Sequence, residues 1–495
     1  MKKLMISAAA LVFATTVVAQ DNVSSVEQVG DANLSGVLQV GSINNNKLVT
    51  KGDNNTAEVV SLGRNNRNVN SQGGDDNNFE VLQTGSHNSS RINQGQVSSN
   101  GAVTRVGSRN EATLLQDGGG NKSVINQYSA TSGQLSNDNI ATAEQLGDNN
   151  ENVIAQDGDD NLATIIQSGD SNDSNILQQG DDNRAITRFY GDSNLNDVDQ
   201  VGDRNNTVVQ VLGTGNSTSV SQSGDDNSAL TAIDGDRNIS SFSQTGDRNN
   251  AGDDFLPGDG INITGDDNTT EIIQTGNDNN SFATVLGDDN VSSSRQVGDD
   301  NNSVLTQTGD DNRSILRING DVNTTVIDQL GDRNNAVTEV FGNSNSVTIS
   351  QVGDDNSALT DIDGGNNNTV LFTQSGDRNN AGDDFLPGDG VYIKGDSNLA
   401  VIGQFGNDND GFTTINGNNN LSVTLQVGDM NTSSITQTGD SNGALTAQFG
   451  TGNVSTVLQD GTSNGSLVGQ LGTGNTSTVS QTGTGNASVV LQAGF

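Results

Sequence analysis

The side chains that could do chemistry in this chain are carboxylates and amides, and they recur at a fixed spacing. Aspartates stand in pairs directly after a glycine, as Asp159 and Asp160, Asp181 and Asp182, Asp225 and Asp226, and Asp299 and Asp300. Paired carboxylates serve glycoside hydrolysis as acid and base, or ligate Ca²⁺ through oxygen. Catalysis needs one special constellation, whereas these pairs repeat from turn to turn. The 495 residues hold one histidine, His87, and no cysteine. No Cys/His metal set and no histidine-activated nucleophile elsewhere in the chain can be built from that inventory. His87 reads as an exposed turn residue. The expectation is a non-enzyme with no catalytic residue, no cofactor and no assigned metal. Weak Ca²⁺ sites between stacked turns are the one candidate, at Asp159, Asp160, Asp181 and Asp182. The spacing matches neither an EF-hand loop nor the nonapeptide calcium repeat. The plainer role for these aspartates is a solvated turn whose charge limits aggregation.

The amides carry the stronger signal. Glycines recur every eleven residues, as in Gly30, Gly41, Gly52, Gly63, Gly74 and Gly85. An Asn nearly always follows three residues later, and a Gln or Ser usually stands two residues before. The unit Q-x-G-x-x-N-x-x-x-x-x recurs about forty times, which marks a solenoid or fibrous array.

Such a beat dictates the elements. In Asn161-Leu-Ala-Thr-Ile-Ile-Gln167, alternation puts Asn161, Ala163, Ile165 and Gln167 on one face of a strand. Asn216, Thr218, Val220 and Gln222 repeat the pattern, so the inward set is Asn, small, aliphatic, Gln. The Gly-rich tetrapeptides between strands suit tight turns, since Gly reaches positive φ and Asp and Asn tolerate it. Helix is disfavoured by the β-branched and glycine content. Two units make one rung of 22 residues. About 20 rungs stacked 4.7–4.8 Å apart give an all-β, two-sheet β-solenoid with parallel, in-register strands. Each buried amide can then bond the identical amide one rung on. The ladder residues include Asn161, Gln167, Asn216, Gln222, Asn475 and Gln481.

Three steps break the beat. Insertions are expected near 128–137, 250–260 and 380–390; the last two share the stretch G-D-R-N-N-A-G-D-D-F-L-P-G-D-G. A block of about 130 residues is duplicated around them. Counting turns places these two insertions on opposite edges, with Phe255 and Phe385 on exposed loops.

Composition sets further limits. Only 30% of residues are hydrophobic, and the formal charge is −40. Nucleic acid and anionic lipid are excluded as partners by that charge. Residues 1–19 read as a secretory signal, with Lys2 and Lys3 before an apolar stretch and Val17-Val18-Ala19 before Gln20. Residues 20–495 form the repeat domain. No other segment could span a bilayer, so no membrane insertion is expected.

Segments such as Asn161–Asn172 and Asn475–Asn486 resemble half-repeats of the curlins, the subunits of bacterial functional amyloid. The resemblance covers nearly all of residues 24–495. It implies a secreted structural protein that polymerises end to end with copies of itself into extracellular fibres at the bacterial cell surface. Those fibres support adhesion and aggregation in a biofilm matrix. A nucleator subunit and an outer-membrane secretion channel are the further partners implied. The chain has several times the rungs of a typical curlin and far more aspartate. The alternative is a non-polymerising acidic β-solenoid adhesin or binding rod, associated with Ca²⁺. If Ca²⁺ matters, it should speed fibre formation more than Na⁺ at matched ionic strength. The expected growth edge is the last strand, with Asn486, Ser488, Val490 and Gln492 inward, because Asp460 is the only charged residue from Gly443 to Phe495.

Overall fold

The structure, a computed structural model, describes residues 21–97, 103–129, 135–251, 260–381 and 390–494. The chain divides into two units, 1–153 and 154–495. Both are built the same way. In the second, Leu162–Ser168 pairs in parallel with Arg184–Tyr190, which pairs with Asn206–Leu212. The intervening strand Asp173–Gln179 pairs instead with Leu195–Val201 in a second sheet. Consecutive strands therefore alternate between sheets, and each pairs with the strand one rung on. The first unit shows the same register, with Val23–Val29 beside Asn45–Lys51 and Leu34–Ser42 beside Thr56–Arg64. No helix occurs among the described residues. The fold is a two-sheet parallel β-solenoid of about 20 turns of about 22 residues.

The strands form because alternation suits a thin core. In Leu162–Ser168 every second residue is buried, Ala163 and Ile165 completely. The core consists of Ala, Val, Ile, Leu and a few Phe, interleaved with buried Asn, Gln, Ser and Thr. The turns hold their shape through two positive-φ residues. At the turn glycine Gly309 φ is +114°, and a Cβ there would lie 2.3 Å from the Gly331 carbonyl oxygen. Two residues on, Asp311 has φ +58°. Even Val322 is forced to φ +60° at that place.

The structure corrects four readings. First, the inward Asn, small, aliphatic, Gln set is not universal: several strands carry Phe, Val or Ile at the Gln place, as Phe189 and Ile362 do. Second, one repeat leaves the stack. Asn78–Ser86 pairs with Glu111–Gly119, 33 residues on. Between them, Gln96–Val97 and Val103–Ser108 join Leu135–Asn137 in a small separate sheet. The signal was the missing beat glycine at position 96, which is Gln. Third, a further step breaks the eleven-residue beat: Gly365, not Gly364 where the beat would fall, lies against Gly342, so that turn holds one extra residue.

The fourth correction concerns the two long insertions. They interrupt strands, not turns. Asn250–Ala251 and Ile261–Thr264 both pair with Ser228–Asp234 in one sheet. Asn380–Ala381 and Val391–Lys394 both pair with Ser357–Asp363 in the other. The chain thus departs from opposite sheets rather than from opposite edges. The odd step count is right and the exit point is not. Beside the breaks, the outward-pointing Leu230 and Leu359 are buried, at 1% and 2% exposure. Phe255, Pro257, Phe385 and Pro387 lie outside the described residues, as do residues 1–20 and the middle of the insertion near 128–137.

Backbone geometry makes opposite predictions at two turn positions. Gly309→Ala should destabilise its rung by roughly 2–4 kcal/mol, through positive φ and collision with the next turn. Val322→Asn should stabilise by about 1 kcal/mol, because a β-branched residue is replaced by one that tolerates φ near +60°. Hydrogen exchange of the flanking strand amides, measured per rung, reads both changes.

Candidate functional site: amide ladders, acidic turns and the end rung

The inward amides form two kinds of ladder. Asn161 Oδ1 accepts the Asn183 backbone N–H at 2.9 Å, and Asn161 Nδ2 donates to the Gly180 carbonyl at 2.8 Å. Asn216 repeats this geometry with the Asn238 N–H and the Gly235 carbonyl, each at 2.8 Å. The Asn column therefore ties each turn to the next. The Gln column is directional. Gln156 donates to Gln178, Gln178 to Gln200, Gln200 to Gln222 and Gln222 to Gln244, at 2.8–3.0 Å. Gln481 closes a later run in the same sheet, accepting from Gln459 at 2.9 Å. Asn475 Nδ2 donates to Asn453 Oδ1 at 2.9 Å. Gln167 stands in register with Phe189, so its column is not continued by a glutamine.

That interruption belongs to a pattern that the single-unit reading missed. Where the sheet of Asp173–Gln179 carries Gln200, Gln222, Gln244 and Gln274, the facing sheet carries Phe189, Val211, Ile233 and Ile263. Farther on the roles exchange. Gln307 begins a ladder through Gln329, Gln351, Gln374 and Gln404, while Ile318, Val340, Ile362 and Ile393 occupy the other sheet. Through this stretch a rung keeps one amide column and one aliphatic column. The signal was present as the absence of Gln before Gly191, Gly213 and Gly235.

The acidic turns also form ladders. Asp159 N–H donates to Asp181 Oδ1 at 2.8 Å, and Asp181 N–H to Asp203 Oδ1 at 2.8 Å. A carboxylate from one rung thus satisfies a backbone donor of the rung before. Asp160 and Asp182 sit one residue on, at φ +58°. In that column Arg204 makes a bidentate pair with Asp226, at 2.7 and 2.9 Å. Arg237, Arg248, Arg333 and Arg378 grip Asp267, Asp278, Asp355 and Asp408 in the same way. The guanidinium hydrogen bonds hold these carboxyls below the usual carboxylate range. Among the described residues no three Asp, Glu, His or Cys side chains converge as a metal-binding group. His87 is a turn residue at φ +63°.

At the far end, Ala487–Ala493 pairs on one side with Gly465–Leu471. Asn486 Nδ2 donates to Asn464 Oδ1 at 2.9 Å, and Gln492 Oε1 accepts from Gln470 at 2.8 Å. Val490 packs on the cluster of Ile435, Ala444, Val457, Val468 and Val479. Ser488 is in register with Ser466. All four expected edge residues face inward.

One outward cluster is pH-sensitive. Burial, with Glu339 and Asp363 nearby, raises the Asp361 carboxyl to about 6. Glu339 is paired with Arg317, Asp363 with Lys394, and Tyr392 donates to Asp363 at 3.0 Å. A carboxyl raised on folding binds its proton more tightly in the folded state. Its stabilising effect is present at low pH and is lost as pH rises from about 4 to about 6. Acidification from pH 7 to about 5 should increase exchange protection in Ser357–Asp363, and Asp361→Asn should flatten that response.

Comparison with known families adds an independent finding. The Curlin associated repeat model matches residues 136–167, 158–186, 191–224, 320–353 and 342–376. No curated protein matches the chain. The matched stretches carry strands with the same Asn and Gln or aliphatic columns as the strands outside them. Family and fold are structural rather than enzymatic in kind. With five stretches that match the curlin repeat, set in the same stacked-strand pattern as the rest, the chain carries curlin repeats.

Proposed function

We propose that this protein is a secreted structural subunit that assembles end to end into curli-like fibres of an extracellular matrix. The observation that carries the reading is the identity of the two outermost rungs. Inward residues of the first rung are Asn22, Ser24, Val26 and Gln28, then Asn33, Ser35, Val37 and Gln39. Inward residues of the last are Asn475, Ser477, Val479 and Gln481, then Asn486, Ser488, Val490 and Gln492. Position by position they are the same. Between them only the rung from Asn453 to Gly472 repeats this set on both strands.

Polarity agrees with the match. Within the Gln ladders each Gln donates toward the C-terminal side, so Gln481 and Gln492 offer amide donors to the Gln28 and Gln39 oxygens of another copy. The Asn475 and Asn486 oxygens suit its Asn22 and Asn33 backbone N–H groups. Such a contact is heterologous and open-ended, and heterologous contacts that do not close build filaments. Low charge near this end removes a usual guard against edge pairing. Extracellular placement follows from the family's usual surface association and from the leader-like residues 1–19. A monomeric adhesin rod would have no use for matched ends.

Ser488→Asp with Val490→Asp should lengthen the lag of thioflavin T fluorescence at least about threefold, and deletion of 472–495 should act in the same direction. Circular dichroism should keep its β signal in both variants. Unchanged kinetics in both would remove this rung as the growth site.

A further inference from the structure

One sheet face near the C-terminal side of the second unit is apolar without interruption. It comprises the strands Leu399–Phe405, Leu421–Val427, Gly443–Phe449, Gly465–Leu471 and Ala487–Ala493. Every outward-facing residue of these five strands, over seven positions, is Gly, Ala, Val, Leu or Phe. Leu445, Phe449, Leu471 and Leu491 are 39%, 41%, 54% and 74% exposed. Over the same rungs, the opposite sheet turns mainly Thr, Ser, Asn and Asp outward, as in Thr432–Thr438 and Thr476–Thr484. The contrast requires a reason, because apolar strand faces of this size mark contact surfaces.

We infer that this face docks against the same face of a second copy of the chain, joining two solenoids side by side. Three observations select a second copy. The first is relief. A Cβ at Gly443 or Gly465 would meet no atom within 4 Å, so these stacked glycines form a groove. Leu421, Leu445, Leu467 and Val489 line it. Leu445 and Leu467 are also the adjacent ridge, two residues along the same strands. Ridge and groove thus lie side by side on one surface, and a twofold axis between two copies seats each ridge in the other's groove.

The second is charge. The formal charge is −40, so two copies repel over most of their surface. The five strands contain no charged side chain, and the turns Gly450–Asn453 and Gly472–Asn475 contain none either, so the acidic residues Asp396, Asp408, Asp429 and Asp440 are confined to turns at the rim of the first three strands. Here two copies can meet without burying like charges. The third is size. Five strands about 4.8 Å apart and about 23 Å long give roughly 550 Å² per copy, hence about 1,100 Å² in total, enough for a specific interface. This contact is lateral and does not use the end rungs.

Sedimentation velocity of the full chain before fibres form, in about 0.5 M NaCl to screen repulsion, tests it. The wild type should show a monomer–dimer equilibrium. Leu445→Glu with Leu467→Glu puts charge on the ridge. Gly443→Val with Gly465→Val fills the groove with strand-compatible residues and no charge. Each pair should weaken dimerisation roughly tenfold or more, with circular dichroism unchanged. Dimerisation unaltered by both pairs would overturn the inference, because association through the ends is indifferent to these outward residues. A wild type that stays monomeric, including one that instead floats with phosphatidylcholine vesicles, would overturn it too.

Discussion

Everything in this molecule depends on a hydrogen bond between equivalent amides in successive rungs. A buried carboxamide without a partner costs about 1–3 kcal/mol. A thin core in a chain that is only 30% hydrophobic cannot absorb many such losses. The repeat meets the constraint by placing the same amide one rung on. Asn55 Oδ1 accepts the Asn77 N–H at 3.0 Å, and Gln83 donates to Gln116 at 2.8 Å even across the looped-out repeat. A one-residue slip would turn these amides outward and the Asp and Thr residues inward. The ladder therefore specifies register as well as satisfying polar groups.

Other features follow from keeping that ladder intact. Insertions are accepted because the strands above and below keep their places around them. Ser228–Asp234 pairs with both halves of an interrupted strand, and Gln244 still reaches Gln274 at 2.9 Å. Acidic turns are accepted because the Asp directly after the turn glycine, as Asp247, accepts the N–H of the rung before it, and arginines paired with the Asp one residue on relieve part of the repulsion. The exchange of amide and aliphatic columns between sheets is accepted because each column is continuous over several rungs. Where a single residue departs from a Gln column it is a small hydroxyl side chain, as at Thr50 and Ser61, and Thr50 Oγ1 donates to Gln72 Oε1 at 3.2 Å.

Much of this was legible from the chain. The eleven-residue beat and the alternation in segments such as Asn161–Gln167 were enough for strands, turns, sheets and register, because each unit repeats the same local physics. Asn161, Asn216, Gln222, Asn475 and Gln481 stand where alternation put them. What was not legible depends on neighbouring rungs. Phe189 and Ile362 look like deviations within one unit and make sense only beside the columns they join. The long insertions fall within the expected 250–260 and 380–390, but their exit from a strand rather than a turn edge was missed, although the turn motif at Gly246–Asn249 is complete. Its completeness shows that the chain must break later, after Ala251. Gln96 removed one beat glycine, and that single loss excluded a repeat from the stack. The apolar outward face escaped notice because outward positions vary freely elsewhere.

The central claim is that one inward pattern sets both the fold within a chain and the junction between chains. Solid-state NMR on fibres mixed from ¹⁵N-labelled and ¹³C-labelled protein addresses it directly. Magnetisation transfer between differently labelled copies reports only contacts between chains. The account predicts transfer between the Gln492 carboxamide of one copy and the Gln39 carboxamide of the next, and between Gln481 and Gln28. Fibres that form without these contacts, or that join rungs of unlike inward sequence, would contradict it.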